Sequence, residues 1–180
     1  MKCRGVEQMK DKIRIEFIDH PLTGRVKVSV IQQAHRSPMV SVDRSWFYEN
    51  IVSAQIPFLH AVPGAPQSGI IRINKIAVNS LSSIFTEINN KFLLGDILSF
   101  DYCFYERVRR NDIDTPSLHC LGIQIDLNLT WNPDDSPGAH KGETGHLDAV
   151  APIFERYGWR WGAYATPSKP SEFTFYGDKK

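Results

Sequence analysis

The stretch SLHCLGIQIDLNLTWNP, residues 117–133, alternates apolar and polar side chains through its middle part. Successive side chains of a β-strand point to opposite faces, so this period predicts a strand with one apolar and one polar face. The apolar face carries Ile123, Ile125, Leu127 and Leu129, and the polar face carries Gln124, Asp126 and Asn128. His119 lies just ahead of the strand. The stretch therefore holds an imidazole before a strand and a carboxylate on the polar face of that strand.

The composition is that of an ordinary globular protein. Of the 180 residues, 42% are hydrophobic and 23% are charged, and the net charge is +1. A charge so close to zero does not indicate a nucleic-acid-binding protein. The cysteines, Cys3, Cys103 and Cys120, are too scattered for a disulfide framework or a zinc motif. Neither a signal peptide nor a membrane-spanning run is recognised, so we expect a protein that is cytoplasmic on synthesis.

The other elements are predicted from periodicity and from turn residues. Residues 12–18 and 25–33 alternate around a Pro/Gly turn and predict an antiparallel hairpin. One helix is predicted from about residue 79, capped by Asn79 or Ser80. Another is predicted within residues 146–158, with Pro152 either in its first turn or at a kink. Further strands are predicted over residues 97–110, 159–164 and 172–177, and loops over residues 111–117 and 132–145.

His119 and Asp126 have two interpretations. Seven residues apart, they cannot share one helix face, but a loop and the polar face of the following strand could bring them together. Imidazole and carboxylate are suitable zinc ligands. The spacing alone is equally compatible with one hydrogen-bonded histidine and one solvated aspartate.

The same stretch resembles the S-x-H-x-x-G-x-A-x-D-I-N signature of D-alanyl-D-alanine carboxypeptidases and L-alanyl-D-glutamate peptidases of the VanY and phage-endolysin type. The matching residues are Ser117, His119, Gly122, Asp126 and Asn128. Gln124 stands where the family usually has alanine. YERVRR (105–110) is similar to the arginine segment ahead of that signature, and FERYGWRWG (154–162) is similar to the F-x-x-x-G-[FW]-x-W-G-G segment.

The resemblance covers roughly residues 70–176 and implies an α+β fold. In that fold, which is Hedgehog/DD-peptidase-like, a small antiparallel sheet flanked by helices holds one zinc ion. We expect a zinc-peptidase-like domain over residues 66–180, and a β-rich N-terminal extension of unassigned role over residues 1–65.

The resemblance also implies roles for individual side chains. His119 and Asp126 would be two of three protein ligands to zinc. Arg107 is the best match to the arginine that holds the substrate carboxylate or the oxyanion, with Ser117 beside it at the substrate. Arg109 shares the strand face of Arg107 and could replace it, whereas Arg110 is expected to point the other way.

The final family segment, D-x-x-H-F, supplies the catalytic acid and the third zinc ligand, and here the sequence departs. Aligning its aromatic residue on Phe175 puts Thr174 at the histidine and Ser171 at the acid. Glu172 could replace the missing group as general base or as an oxygen ligand, if the register slips. His140 or His146 could instead provide a nitrogen ligand, or the site could bind zinc weakly or not at all.

The resemblance implies a zinc-dependent metallopeptidase, a hydrolase that cuts peptidoglycan stem peptides. It would be a D-Ala-D-Ala carboxypeptidase or an endolysin-like L-Ala-D-Glu endopeptidase, released to the cell wall or carried by a phage particle. The alternatives are a pseudoenzyme that only binds a wall peptide or a protein, and a structural domain of a larger assembly.

Overall fold

The computed structural model describes residues 12–32 and 37–177. Residues 1–11, 33–36 and 178–180, which include Cys3, Gln33 and His35, lie outside the described part. In chain order the elements are β1 (Lys12–His20), β2 (Gly24–Gln32), β3 (Met39–Val42), α1 (Arg44–Asn50), β4 (Ile51–Gln55), β5 (Ile70–Asn74), α2 (Val78–Asn90), β6 (Phe100–Tyr102), β7 (Val108–Arg109), β8 (Asp112–Pro116), β9 (Gln124–Leu127), α3 (Ala151–Arg156), β10 (Trp159–Trp161) and β11 (Glu172–Phe175).

The strands form small antiparallel sheets, which together with the helices confirm the predicted α+β fold. Their orders are β1-β2-β3, β4-β5, β7-β8 and β10-β11-β9-β6. The predicted hairpin is present as β1 and β2. The β4–β5 hairpin joins residues on both sides of residue 65, and the division of the chain at that point stays a proposal. No helix in the described part of the chain is long and apolar enough to cross a membrane.

Helix α2 buries the apolar stripe that its sequence predicts, but the predicted caps are wrong. Its residues Leu81, Ile84, Phe85 and Ile88 are fully buried. The helix begins at Val78 as the continuation of a 3-10 turn, Lys75–Ala77, whose cap is Asn74. Ser80 instead bonds across the fold, because its hydroxyl donates to the Tyr157 carbonyl and accepts from the Trp159 indole.

The long strand predicted over residues 97–110 is wrong, and so is the loop predicted over residues 111–117. Only β6 and the two-residue β7 form in the first segment, and β8 forms in the second. The reason lies in the backbone partners. The Tyr105 N–H bonds the His119 carbonyl, and the Ser117 N–H bonds the Arg107 carbonyl. The chain between β6 and β7 thus pairs with the residues around His119 rather than extending one sheet.

Strand β9 lies in the middle of the four-stranded sheet, between β11 and β6. Its apolar residues Ile125 and Leu127 belong to the buried core, in which Phe154 of α3 stacks on Phe173 of the neighbouring strand β11 with ring centroids 4.2 Å apart. Helix α3 is shorter than predicted and begins at Ala151, so Pro152 lies in its first turn and causes no kink. The polar face of β9 is also buried, since all four of its residues are covered. A buried polar face requires internal partners for every polar group, and these partners form the candidate site.

Candidate metal centre

His119 is held on a short 3-10 helix, Leu118–Leu121, that leads into β9. Ser117 caps this helix by accepting a hydrogen bond from the His119 N–H. At its other end Gly122 has φ of +63°, and a Cβ there would lie 2.7 Å from the Asn74 nitrogen. The His119 ring is fully buried, and its Nδ1 lies 2.7 Å from the Cys103 carbonyl oxygen. Because a carbonyl only accepts, Nδ1 carries a proton, and Nε2 is the ring nitrogen that remains to face Asp126.

Asp126 lies on β9 and faces this nitrogen. Its Oδ2 is 3.3 Å from His119 Nε2, 3.5 Å from an Arg107 nitrogen, and in contact with the Arg110 guanidinium. Burial acts to raise the pKa of Asp126, but the neighbouring His119, Arg110 and Arg107 outweigh burial and lower it. The second oxygen, Oδ1, is buried and has no hydrogen-bond partner among the described residues.

Glu172 lies directly opposite Asp126 in the β11–β9 register. Its Oε1 is 3.0 Å from the Lys169 ammonium, and its Oε2 accepts a 2.6 Å hydrogen bond from the Gln124 amide. Burial raises the pKa of Glu172, and the nearby negative charge of Asp126 raises it further. Lys169 acts in the opposite direction.

His119, Asp126 and Glu172 each offer a ligand atom, and these atoms lie within 4.8 Å of one another. His119 Nε2 and Asp126 Oδ1 are buried polar atoms that no hydrogen bond satisfies within residues 12–32 and 37–177. The close approach of this nitrogen to a carboxylate requires positive charge between them, either a proton on Nε2 or a bound cation. One imidazole and two carboxylates form a donor set that fits a divalent metal ion such as zinc.

The arginines are arranged differently from the alternation-based prediction. Arg107 is half-buried beside Asp126, whereas Arg109 is exposed. The prediction that Arg110 points away is wrong, because it bridges Asp126 and Asp134. Strand β7 ends at Arg109 and a turn follows, so the alternation does not extend to Arg110.

The remaining candidates lie at varying distances from the cluster. Thr174 faces Gln124 in the register, not Asp126. The Ser171 side chain is buried but is not one of the clustered ligands, and neither His140 nor His146 belongs to the cluster. His140 is exposed on the 132–145 loop.

The observed register suggests a better alignment of the final motif. Shifting D-x-x-H-F by two residues places its aromatic on Phe173, which pairs with Ile125. Glu172 then stands at the histidine and Lys169 at the acid. Sequence reasoning missed Lys169, Gln124 and Arg110, although the spacing of KPSEF, residues 169–173, contained the signal for the first of these.

A groove of about 910 Å³ opens beside the cluster. Gln124 and Glu172 lie at the site end of the groove, and Ser117 also lines it. Its other walls include the aromatic side chains Trp161, Tyr164 and Tyr176 and the basic side chains Arg109, Arg160 and Lys169. Aromatic and cationic walls suit a peptide that carries a carboxylate.

Comparison with known families supports the resemblance described above. Residues 111–168 match a family model described as D-alanyl-D-alanine carboxypeptidase, about a third of the chain. The match contains Ser117, His119 and Asp126 and ends before Lys169 and Glu172. The predicted resemblance to this family is therefore confirmed. Neither the curated proteins nor the solved structures contain a significant match to the chain.

Proposed function

We propose that this chain, whose residues 111–168 resemble D-alanyl-D-alanine carboxypeptidases, is a zinc-dependent peptidase acting on peptidoglycan stem peptides. One observation carries the proposal. His119, Asp126 and Glu172 place ligand atoms within 4.8 Å of one another in a buried site, where His119 Nε2 and Asp126 Oδ1 have no hydrogen-bond partner among the described residues. Such convergence is the expected form of a metal site without its ion.

A zinc ion bound there would polarise the scissile carbonyl and lower the pKa of a bound water. The chain's own residues prepare the site for that ion. The Cys103 carbonyl fixes the tautomer and the orientation of His119, as a typical outer partner of a metal-binding histidine. Glu172, the predicted replacement, supplies an oxygen ligand from β11.

The arginines and the groove would bind the substrate. Arg107 lies at the rim of the cluster, and its buried Nε has no partner in the described part of the chain. Its planar, permanently charged group suits a developing oxyanion or a substrate carboxylate. Arg109 and Ser117 line the groove and would contact the peptide. The substrate lies in the cell wall, so the protein would act there, as an endolysin or as part of a phage particle.

A second candidate function is a pseudoenzyme that binds wall peptides without cleaving them. The observation that favours it is Lys169, because an ammonium occupies the position that the shifted motif gives to the catalytic acid. If Glu172 is a metal ligand, it does not at the same time serve as general base. The groove and its basic side chains would still bind a peptide carboxylate.

Metal content and peptide hydrolysis test the proposal together. The purified protein should contain stoichiometric zinc by elemental analysis, and His119→Ala should abolish it. His140→Ala, which removes an exposed imidazole outside the cluster, is the matched control and should keep the metal. Release of product from peptides ending in D-Ala-D-Ala, or containing L-Ala-D-Glu, should require His119. Zinc without hydrolysis of either peptide supports the pseudoenzyme.

A further inference from the structure

The carboxylate of Glu172 is held from two sides by residues of different elements. Gln124, on the neighbouring strand β9, donates to Oε2 at 2.6 Å. Lys169, in the loop before β11, lies 3.0 Å from Oε1. The side chain of Glu172 is only 8% exposed, so these two contacts replace most of its hydration.

These contacts orient the carboxylate without exhausting its capacity to bind. A carboxylate has about four lone-pair sites, two on each oxygen. One donor on each oxygen leaves a lone pair on each. The two contacts fix the plane of the carboxylate, and its free lone pairs can still bind a metal ion together with His119 and Asp126.

The three residues also coincide with the departures from the family pattern. Gln124 replaces the usual alanine of the signature, and Lys169 and Glu172 occupy the acid and histidine positions of the shifted final segment. Gln124 is 48 residues from Glu172 in the chain, yet the two side chains touch. All three departures therefore meet at one carboxylate, beside the other two members of the cluster.

We infer that Gln124, Lys169 and Glu172 act as one unit that supplies the third metal ligand. Glu172 is the ligand, and Gln124 and Lys169 are positioning residues. The inference rests on the proposed metal site and adds two residues to it, without which Glu172 would be a poorly oriented ligand.

Calorimetric titration of metal-stripped protein with zinc chloride tests this inference. Gln124→Ala and Lys169→Met should each weaken zinc binding about 10-fold, the lower end of the effect of outer-shell changes. In a Glu172→Gln background, the same two changes should alter the dissociation constant less than about 2-fold, because their effect passes through Glu172. Lys169→Arg should restore most of the affinity that Lys169→Met loses. Lys141→Met, which removes an exposed lysine from the polar loop, is the matched control.

Two results would overturn the inference. One is unchanged zinc affinity in Gln124→Ala and Lys169→Met. The other is an equal loss with and without Glu172, which would mean that the residues act on the fold rather than on the ligand. Thermal unfolding of each variant, recorded by circular dichroism, identifies a variant that fails to fold, and if Lys169→Met does so, Gln124→Ala with and without Glu172→Gln carries the comparison.

Peptide hydrolysis separates this inference from the proposed function. If zinc affinity depends on Gln124 and Lys169 through Glu172 but neither peptide is hydrolysed, the three-residue unit is supported and the peptidase function is contradicted. If hydrolysis requires His119 but is retained in Glu172→Gln, the peptidase function is supported and the three-residue unit is contradicted. If the wild-type protein binds no zinc, both the proposed function and the three-residue unit are contradicted.

Discussion

Asp126 and Glu172 are buried carboxylates that face each other on neighbouring strands, yet their environments shift their pKa values in opposite directions. The pKa of Asp126 is lowered because His119, Arg110 and Arg107 outweigh its burial. The pKa of Glu172 is raised, mainly by burial and then by Asp126 itself, against the opposing effect of Lys169. Asp126 is therefore surrounded by positive charge, whereas Glu172 has too little positive charge nearby to offset its burial.

The contrast indicates which group has more need of a metal ion. Asp126 is already compensated on Oδ2 by two guanidinium groups. Glu172 has one ammonium and one amide, and the cluster still contains an imidazole nitrogen, His119 Nε2, without a hydrogen-bond partner among the described residues. A divalent cation between the two strands would satisfy both His119 and Glu172. The variants below test this contrast, from the largest expected effect to the smallest.

Asp126→Asn should give the largest loss of stability in the metal-free protein. The change removes the counter-charge of Arg107 and one of the two carboxylates that Arg110 bridges, and breaking such a pair typically costs about 3 kcal/mol. Glu172→Gln should cost less than about 1 kcal/mol, because it removes a charge that burial disfavours. Urea unfolding in the presence of a chelator measures both. Equal decreases in the free energy of unfolding of the two variants would contradict the difference between the two carboxylates.

Arg110→Met should destabilise the protein by about 1–2 kcal/mol, the usual contribution of a charge-assisted hydrogen bond. Arg110 bridges Asp126 and Asp134, and Arg107 remains on Asp126 after the change. Arg109→Met is the matched control on the adjacent residue, which is exposed, and it should alter stability by less than about 0.5 kcal/mol. A larger effect at Arg109 would restore the alternation-based interpretation of this segment.

The arginine pair also shows what the sequence could and could not predict. Periodicity predicted β9 and the side of it that carries Asp126, because those features depend only on local alternation. The direction of Arg110 was mispredicted because β7 is only two residues long and a turn interrupts the alternation. Strand length was decided by backbone partners such as the Tyr105–His119 bond, which no local pattern encodes.

Placing the third member of the cluster, Glu172, depends on the register between β9 and β11. An antiparallel register between β9 and β11 places Glu172 opposite Asp126 and Thr174 opposite Gln124. A shift of one residue would turn Glu172 to the other face of the sheet. Side-chain alternation alone therefore made Glu172 a candidate, and only the pairing of two strands distant in sequence places it beside Asp126.

The two carboxylates should also give opposite pH dependences in the metal-free protein. Asp126, with a lowered folded pKa, contributes stability above its unfolded pKa of about 3.9, and this stability is lost as the pH falls through the folded value. Glu172, with a raised folded pKa, adds no penalty below its unfolded pKa of about 4.3, and its penalty is complete once the pH exceeds the folded value.

Unfolding measured between about pH 3 and pH 7 should therefore separate the variants. The deficit of Asp126→Asn relative to the wild type should grow as the pH rises through the acidic range. Any deficit of Glu172→Gln should shrink or reverse over the same range. Parallel curves for the two variants would contradict the opposite shifts, and saturating zinc should abolish the Glu172 penalty if the ion binds there.

Thr174 gives the smallest expected effect and tests the register directly. Its hydroxyl is a long 3.3 Å from the Gln124 amide, and it lies two residues from the ligand position on the same strand. Thr174→Ala should change the zinc dissociation constant by less than about 2-fold, whereas Glu172→Gln removes a ligand and should weaken binding more than about 30-fold. The same contrast should hold for added imidazoles, because Glu172→His would place a nitrogen opposite Asp126 and Thr174→His would place it opposite Gln124. If Thr174→His increased zinc affinity and Glu172→His abolished it, the alignment on Phe175 would be correct and the unit built on Glu172 would not be the third ligand.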